Sequence, residues 1–232
     1  MAQAGWRRAF VAVLGASMMI LGGCGTGGNT EVKDSWMARV PEEGLVNVRH
    51  AQALKRQATD NVLRADVAIE DAERALAIAR SNAEAAKLRN DAAKVQVEAA
   101  KATGQQASIQ QAELQIEAAD AELAAARAQV SWRKENLEAW SAQRELRQRE
   151  LQVADAELDY AQYRALKANG DVRAQELTEG DFLSGLSKAK RRALEARRDA
   201  DEETQEARQA RAQWEQLRGQ AQGYGGSGRD RR

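Results

Sequence analysis

A seven-residue repeat runs through residues 62–100, which read VLRADVAIEDAERALAIARSNAEAAKLRNDAAKVQVEAA. One row of the repeat consists mostly of large residues. A second row, three residues later, consists only of alanine. The first row contains Val62, Ile69, Leu76, Ala83, Asn90 and Val97, and the second contains Ala65, Ala72, Ala79, Ala86, Ala93 and Ala100. Positions three and four residues apart share one face of an α-helix and form the seam of a coiled coil. The stretch therefore predicts a long helix that packs against a partner.

The same pattern begins again after Gly104. Its large residues are Ile109, Ile116, Leu123, Val130, Leu137, Leu151 and Leu158, and alanines follow at 112, 119, 126, 154 and 161. Glycine readily adopts the left-handed conformation that ends a helix, so Gly104 predicts a turn. Antiparallel pairing sets Leu123 against Ala86 and Val130 against Ala79, which allows close packing. We expect a helical hairpin; closure of the seam between chains is the alternative.

A second break at Asn169-Gly170-Asp171 predicts a third helix, which Asp171 would cap. The apolar stripe of this helix contains Leu186, Ala189, Ala193, Ala196, Ala200, Glu203, Ala207, Ala210, Trp214 and Leu217. It fits a second stripe on the middle helix, with Ala196 facing Leu146, Ala210 facing Trp132 and Trp214 facing Ala128. The sequence thus predicts an all-α fold with three helices along the base half and two at the Gly104 tip.

The composition agrees with long helices. The chain has 232 residues, of which 30 % are charged and 43 % hydrophobic, and alanine dominates the hydrophobic set. A single proline leaves few helix stops. The 35 basic and 35 acidic residues are interspersed, which is typical of a solvated helix surface and argues against nucleic acid as a partner.

The first 24 residues have the order of a processing signal. Arg7 and Arg8 precede an apolar run over residues 9–21, which is too short to span a bilayer comfortably. The run ends in Leu21-Gly22-Gly23-Cys24, which resembles the lipobox of bacterial lipoproteins. The resemblance implies that residues 1–23 are removed between Gly23 and Cys24, and that Cys24 carries a diglyceride and an amide-linked acyl chain such as palmitate. An uncleaved anchor with an incidental cysteine is the alternative.

The predicted organisation has four parts. After the signal peptide, residues 24–40 form a flexible linker, residues 41–218 a helical coiled-coil domain and residues 219–232 a disordered tail. The helices are expected over about 41–102, 106–168 and 172–218. Trp36 and Met37 are candidates for contact with the hairpin base or with lipid headgroups. Gly25 follows the cysteine in place of the aspartate that retains enterobacterial lipoproteins in the inner membrane, which favours the periplasmic face of the outer membrane.

We predict no catalytic, cofactor-binding or metal-binding residues. His50 is the only histidine and Cys24 the only cysteine, so neither a nucleophilic triad nor a helical Glu-x-x-His metal site is available. Polar residues interrupt the seam at Lys55, Asn90, Arg133, Arg144 and Arg147. Asn90 is interpreted as a register-setting residue. The arginine stems are expected to cover the seam while their heads reach acids such as Glu135 or Glu150, with a buried anion site as the alternative.

The leading hypothesis is a non-enzymatic envelope lipoprotein that acts as a periplasmic scaffold, spacer or assembly factor. Its expected partners are the membrane, through Cys24, and an envelope protein at the Gly104 tip. An apolar patch around Leu88 and Val95 either binds a partner or a second copy, or is an ordinary solvated face. A second hypothesis is a peptidoglycan-associated lipoprotein that spaces the membrane from the wall.

A third hypothesis rests on the shape of the hairpin. Over about residues 48–161 it is similar to the helical hairpins of periplasmic adaptor proteins of the membrane-fusion family. That resemblance is architectural and implies a component of an export complex. The flanking β-rich domains of that family have no counterpart in this sequence, and residues 102–108 lack its Arg-Leu-Ser type of tip motif.

Overall fold

A computed structural model describes residues 32–225, which are helical almost throughout and contain no strand. The helices are α1 (Asp34–Met37), α2 (Val46–Thr103), α3 (Gln106–Ala168) and α4 (Glu179–Gly225). Two 3₁₀ helices, Glu42–Leu45 and Val172–Glu176, precede α2 and α4. With 58 and 63 residues, α2 and α3 are about 87 and 95 Å long at 1.5 Å per residue. None of the described helices is long and apolar enough to cross a membrane.

Glycine ends α2 as the sequence predicts. Gly104 has a φ of 69°, and its N–H donates to the carbonyl oxygen of Lys101 at 3.1 Å. Gly170, with a φ of 68°, turns the chain again after α3. Residues other than glycine are strained in this left-handed region. Gly104 and Gly170 therefore set the ends of the long helices.

The predicted seam between α2 and α3 is confirmed. The alanine row of α2 is buried at residues 65, 72, 79, 86 and 93, and Ala112, Leu123 and Ala154 are buried on α3. The polar contacts between α2 and α3 join residues that lie within two positions of the pairs that the sequence predicts. They are Lys55 with Asp155 at 2.8 Å, Asn90 with Asp120 at 2.6 Å, Asp66 with Arg144 and Arg89 with Glu122. The antiparallel hairpin therefore closes within one chain.

Helix α3 lies between the other two long helices. Both α2 and α4 pack against α3, and no Cα atom of α2 comes within 8 Å of a Cα atom of α4. The described helices therefore form an open array in which α3 has two seams and α2 and α4 have one each. On the α4 side, Leu146 packs with Ala196 as predicted, together with the fully buried Ala200.

One aromatic contact near the C-terminal end of α4 was not predicted. Trp214 stacks on Trp132 with ring centroids 4.6 Å apart, whereas the sequence paired Trp214 with Ala128 and Trp132 with Ala210. The two large indole surfaces, one turn from the predicted pairs, bury each other. The helix also continues to Gly225, so residues 219–225 are helical and not part of a disordered tail.

The base of the rod corrects the expected linker over residues 24–40. Val32, Met37 and Val40 are buried there in one cluster with Leu166 and Phe182. Val48, Tyr163, Ala165, Ala174 and Leu177 complete the cluster, and Trp36 packs against it. Residues 32–40 therefore fold onto the hairpin base. Of the two contacts considered for Trp36 and Met37, the structure shows the contact with the base.

Two helix starts also lie later than expected. The segment after Pro41 is a 3₁₀ helix, and α2 begins at Val46 rather than near 41. Asp171 caps the 3₁₀ helix Val172–Glu176, because its carboxylate accepts a hydrogen bond from the backbone N–H of Arg173 at 3.0 Å. Hydrogen bonds from the side chain and backbone of Arg173 lower the pKa of Asp171 to about 2. Since Ala174 and Leu177 are buried in the base cluster, α4 begins only at Glu179 and not near 172.

The seam predicts the effect of a larger side chain at Ala79, which is 1 % exposed. We expect Ala79→Leu to destabilise the fold by about 1–3 kcal/mol, because a close helix contact has no room for three more carbons. Urea unfolding followed by circular dichroism measures the change. The same substitution at the exposed Ala53 should alter the free energy of unfolding by less than about 0.5 kcal/mol. Equal stability of the two variants would contradict the close seam.

Candidate interaction surfaces

The polar residues of the hairpin seam mostly contact acidic partners. Asn90 is 1 % exposed, and its side-chain N–H donates to Asp120, whereas its Oδ1 accepts no hydrogen bond from described residues. A buried amide with one fixed partner supports the register-setting interpretation. Arg147 reaches Glu150 at 2.6 Å, as expected, and Arg144 reaches Asp66 on α2.

Arg133 differs from the expectation that it reaches an acid. Its guanidinium carbon lies 3.9 Å from the ring centroid of Trp132, and it has no acidic partner among the described residues. Burial, together with the nearby charge of Arg211, lowers the pKa of Arg133. The arginine is therefore held by the face of an aromatic ring, which attracts a cation through its quadrupole.

Arginines surround the tryptophan stack between α3 and α4. Arg211 lies 5.7 Å from the centroid of Trp132, and Arg218 lies 5.4 Å from that of Trp214. With Arg133, three guanidinium groups contact two stacked rings. This junction fixes the C-terminal part of α4 on α3. The sequence pattern placed Trp132 and Trp214 on stripes and Arg133 on the seam, but it did not predict that these three side chains meet.

A groove of about 450 Å³ opens beside this stack. Its lining includes Trp132, Trp140, Asn136, Gln143, Arg147, Thr204, Arg208 and Arg211. The indole of Trp140 is 41 % exposed, and the surrounding amides and arginines offer hydrogen-bond donors. Such a groove suits a flat ligand face that carries polar or acidic groups.

A wider groove of about 880 Å³ runs toward the tip between α2 and α4. Alanines 86, 93, 118, 119, 125, 126 and 221 line its floor, and Arg89, Glu122, Trp214 and Arg218 lie at its rims. The last turns of α4, at Ala221 and Gln222, line this groove together with residues of α2 and α3.

The tip itself is exposed. Thr103, Gly104 and Gln105 are all accessible there. The Thr103 hydroxyl donates to the carbonyl oxygen of Ala100 at 2.7 Å, which satisfies one carbonyl group at the end of α2. The tip therefore presents a short polar turn to its surroundings.

An acidic cluster lies where α3 meets α4. Carboxylate oxygens of Glu135, Glu138 and Glu203 lie within 4.8 Å of one another, and Lys134 pairs with Glu138 at 3.2 Å. Burial and the charges of Glu206 and Glu138 raise the pKa of Glu203. Burial and Glu138 likewise raise the pKa of Glu135.

The chemistry of this cluster follows from its oxygens. Carboxylate oxygens are ligands that a divalent cation takes, so these three side chains could contribute to a metal site. We predicted no metal ligand from the sequence, although Glu203 lay on the apolar stripe of α4 as its only acid. The position of Glu203 was the one indication of this cluster in the sequence, because a carboxylate within a seam requires a neighbour that compensates its charge.

The outer edge of α2 is apolar. Leu63, Val67, Ile78, Leu88 and Val95 are all well exposed on the side of α2 that faces away from α3. The expected patch at Leu88 and Val95 is thus exposed, and it extends further along the helix than these two residues. His50 lies exposed near the base end of the same helix. Cys24 and Gly23 lie outside the described residues, so lipid attachment and cleavage stay predictions.

The raised pKa values predict a pH dependence. Between the ordinary value of 4.5 and the raised pKa of Glu203, the folded protein binds more protons than the unfolded chain. This contribution to stability is therefore complete below pH 4.5 and is lost as the pH rises through the raised pKa. We expect Glu203→Gln to raise the melting temperature at about pH 7 and to have little effect at about pH 4, as measured by thermal unfolding across this range.

A matched control is Glu73→Gln, since Glu73 is exposed on α2 outside this cluster. It should leave the melting temperature unchanged at both pH values. A lower melting temperature for Glu203→Gln at neutral pH would show that the Glu203 carboxylate stabilises the contact between α3 and α4.

Comparison of the chain with protein-family models, with curated proteins and with solved structures gives no match. The basis for assigning a function is therefore the sequence and the geometry of the chain itself. Three features are available for that purpose: the lipobox-like N-terminus, the difference between the base and the tip of the rod, and the surfaces described above.

Proposed function

We propose that the protein is a lipid-anchored, non-enzymatic rod that serves as a periplasmic scaffold, spacer or assembly factor in the bacterial cell envelope. One observation carries the proposal. Val32, eight positions after Cys24, is buried in the base cluster beside Leu166, so the chain enters the rod at its base. The Gly104 turn lies at the opposite end of α2, about 87 Å away.

The short connection defines how such a rod would stand relative to a membrane. Eight residues span at most about 28 Å when fully extended. An acylated Cys24 would therefore hold the base close to the bilayer surface, and the tip would project away from it. More than one acyl chain, as the lipobox implies, suits stable anchoring.

The arrangement of helices supports a spacing role. Helix α4 packs on α3 from the base at least as far as the Trp132–Trp214 stack, which lies past the middle of α3. The brace therefore covers at least the predicted base half. A tip that carries exposed Thr103, Gly104 and Gln105 is then the most distant surface that a partner could contact.

A second candidate function is association with peptidoglycan, and the groove beside the tryptophan stack favours it. Sugar rings stack on exposed aromatic faces such as that of Trp140. Arginines such as Arg208 and Arg211 pair with carboxylates, which the peptide stems of peptidoglycan carry. This candidate keeps the lipid anchor and assigns the wall, rather than a protein, as partner.

Substitution of Cys24 tests the anchor. We expect Cys24→Ser to abolish incorporation of radioactive palmitate and to release the protein from the membrane fraction, because the thioether cannot form. Fractionation of cells and labelling of the precipitated protein measure both effects. The unchanged protein is the control. A Cys24→Ser chain that stays unlabelled at full length in the membrane would overturn the proposed lipid anchor.

Sedimentation with bare sacculi separates the two candidates. We expect purified protein that starts at residue 24 and carries Cys24→Ser to stay in the supernatant, as a scaffold for proteins would. The control is Trp140→Ala in the same background. Co-sedimentation that Trp140→Ala abolishes would replace the scaffold with a wall-binding function.

A further inference from the structure

The outer edge of α2 carries an apolar stripe that no described residue covers. In the half of the helix nearer the tip, alternating steps of three and four residues connect Ile78, Ser81, Ala85, Leu88, Ala92, Val95, Ala99 and Ala102. An alanine precedes Leu88 and Val95 by three residues, so small and large positions alternate over residues 85–95 as they do in the hairpin seam. Leu88 is 63 % exposed and Val95 is 68 % exposed. The edge therefore has the sequence of a coiled-coil interface and lacks a partner within the described chain.

The outer edge of α2 is more apolar than that of α4, on which Leu183 and Leu194 are exposed at 46 % and 59 %. Helix α3 packs on the opposite side of α2, and α4 packs only on α3. The comparable outer edge of α4 is mostly polar and contains Lys188, Arg191, Glu195, Arg198, Glu202 and Gln205. Solvation thus explains the free edge of α4 but not that of α2. A contiguous exposed apolar stripe marks an interaction site.

The charges beside the stripe decide between orientations of a second copy. One flank carries Glu84, Asp91 and Glu98, and the other carries Asn82, Arg89 and Gln96. Each of the three acids also pairs with the lysine three residues later, at 3.3–3.8 Å on the exposed surface. In a parallel coiled coil, a residue on one flank faces the residue five positions later on the opposite flank of its partner. Glu84 would then face Arg89 of the second copy, twice in the pair, and Asp91 would face Gln96.

An antiparallel pair is electrostatically unfavourable. If Leu88 lay against Ala92 of the second copy, each flank would lie against the same flank of that copy. Asp91 would meet Asp91, Glu84 would meet Glu98, and Arg89 would meet Arg89. Like charges in direct contact suppress such a pairing.

We propose that two copies of this chain pair in parallel and in register through residues 78–102 of α2. Leu88 and Val95 lie at the centre of the interface, and Glu84 pairs with Arg89 of the second copy. Arg89 already contacts Glu122 within its chain. Its guanidinium has five N–H donors and serves both acids.

The parallel orientation places both bases at one end of the pair. Two chains anchored in one membrane through Cys24 have this orientation, and that agreement rests on the proposed function. The charge pattern is independent of the anchor, because it involves only residues of α2. The experiment therefore uses unlipidated protein, so that failure of the pairing and failure of the anchor are separate outcomes.

Sedimentation velocity of the chain from residue 24 onward with Cys24→Ser measures the association. We expect a dimer for this protein and monomers for Leu88→Glu and Val95→Glu, with dissociation constants raised at least tenfold. Leu114→Glu is the matched control, since Leu114 is 65 % exposed on α3 and outside the stripe. It should remain dimeric, and circular dichroism should show all variants equally helical. A monomeric parent protein, or equal dimerisation of Leu88→Glu and Leu114→Glu, would overturn the proposal.

Disulfide formation tests the orientation. In the Cys24→Ser background, Val95→Cys should form an intermolecular disulfide under oxidation, because parallel pairing brings the two positions together. In the antiparallel alternative these positions lie about ten residues apart along the axis, about 15 Å, which is beyond disulfide reach. A mixture of Ala85→Cys and Val95→Cys chains that forms only the mixed disulfide would overturn the parallel register. Gln205→Cys on the edge of α4 is the control and should not crosslink.

Discussion

Close contact between α2 and α3 across buried alanines is the constraint on which the rest of the structure depends. Helix propensity alone does not stabilise a helix of 58 residues. Such a helix requires that the side chains of one face be buried against a partner. Alanine allows the two backbones to approach, and the large residue opposite fills the remaining space. Because the pattern repeats over the whole length, the register is fixed many times, and Asn90 adds a polar contact that only one register satisfies.

The same constraint explains why the helices form an open array. A seam of small and large residues occupies one narrow face, so the opposite face of α3 is free to hold a second seam with α4. That seam has other chemistry. It depends on the Trp132–Trp214 stack, on the stack of Tyr163 with Phe182 and on Leu146 between alanines. An array with a single middle helix necessarily has two outer edges, and the composition of each edge determines whether it is solvated or binds a partner.

The sequence predicted those parts of the fold that a repeated pattern specifies. The hairpin register was predicted because alanine recurs without exception on α2 and because Gly104 gives one defined turn. The stack of Trp214 on Trp132 was not predicted, since a periodic stripe does not reveal how two indole rings prefer to contact each other. Residues 32–40 were predicted to belong to a flexible linker, although Val32, Trp36 and Val40 lie four residues apart and so recur at the spacing of one helix face. The contact of Arg133 with Trp132 and the acidic cluster both depend on side-chain placement at a junction of two helices, which periodicity does not describe.

The two seams of α3 differ in how firmly they hold their helices. The α2 seam buries alanines with few charges, and its polar residues, such as Lys55 and Arg144, have acidic partners. The α4 seam includes Glu203, whose Oε2 is buried without a hydrogen-bond partner among the described residues and whose pKa burial raises. Uncompensated carboxylates weaken the contact around them at neutral pH. The buried Oδ1 of Asn90 in the α2 seam is neutral, whereas the charge of Glu203 depends on pH. The attachment of α4 to α3 therefore responds to pH near its middle.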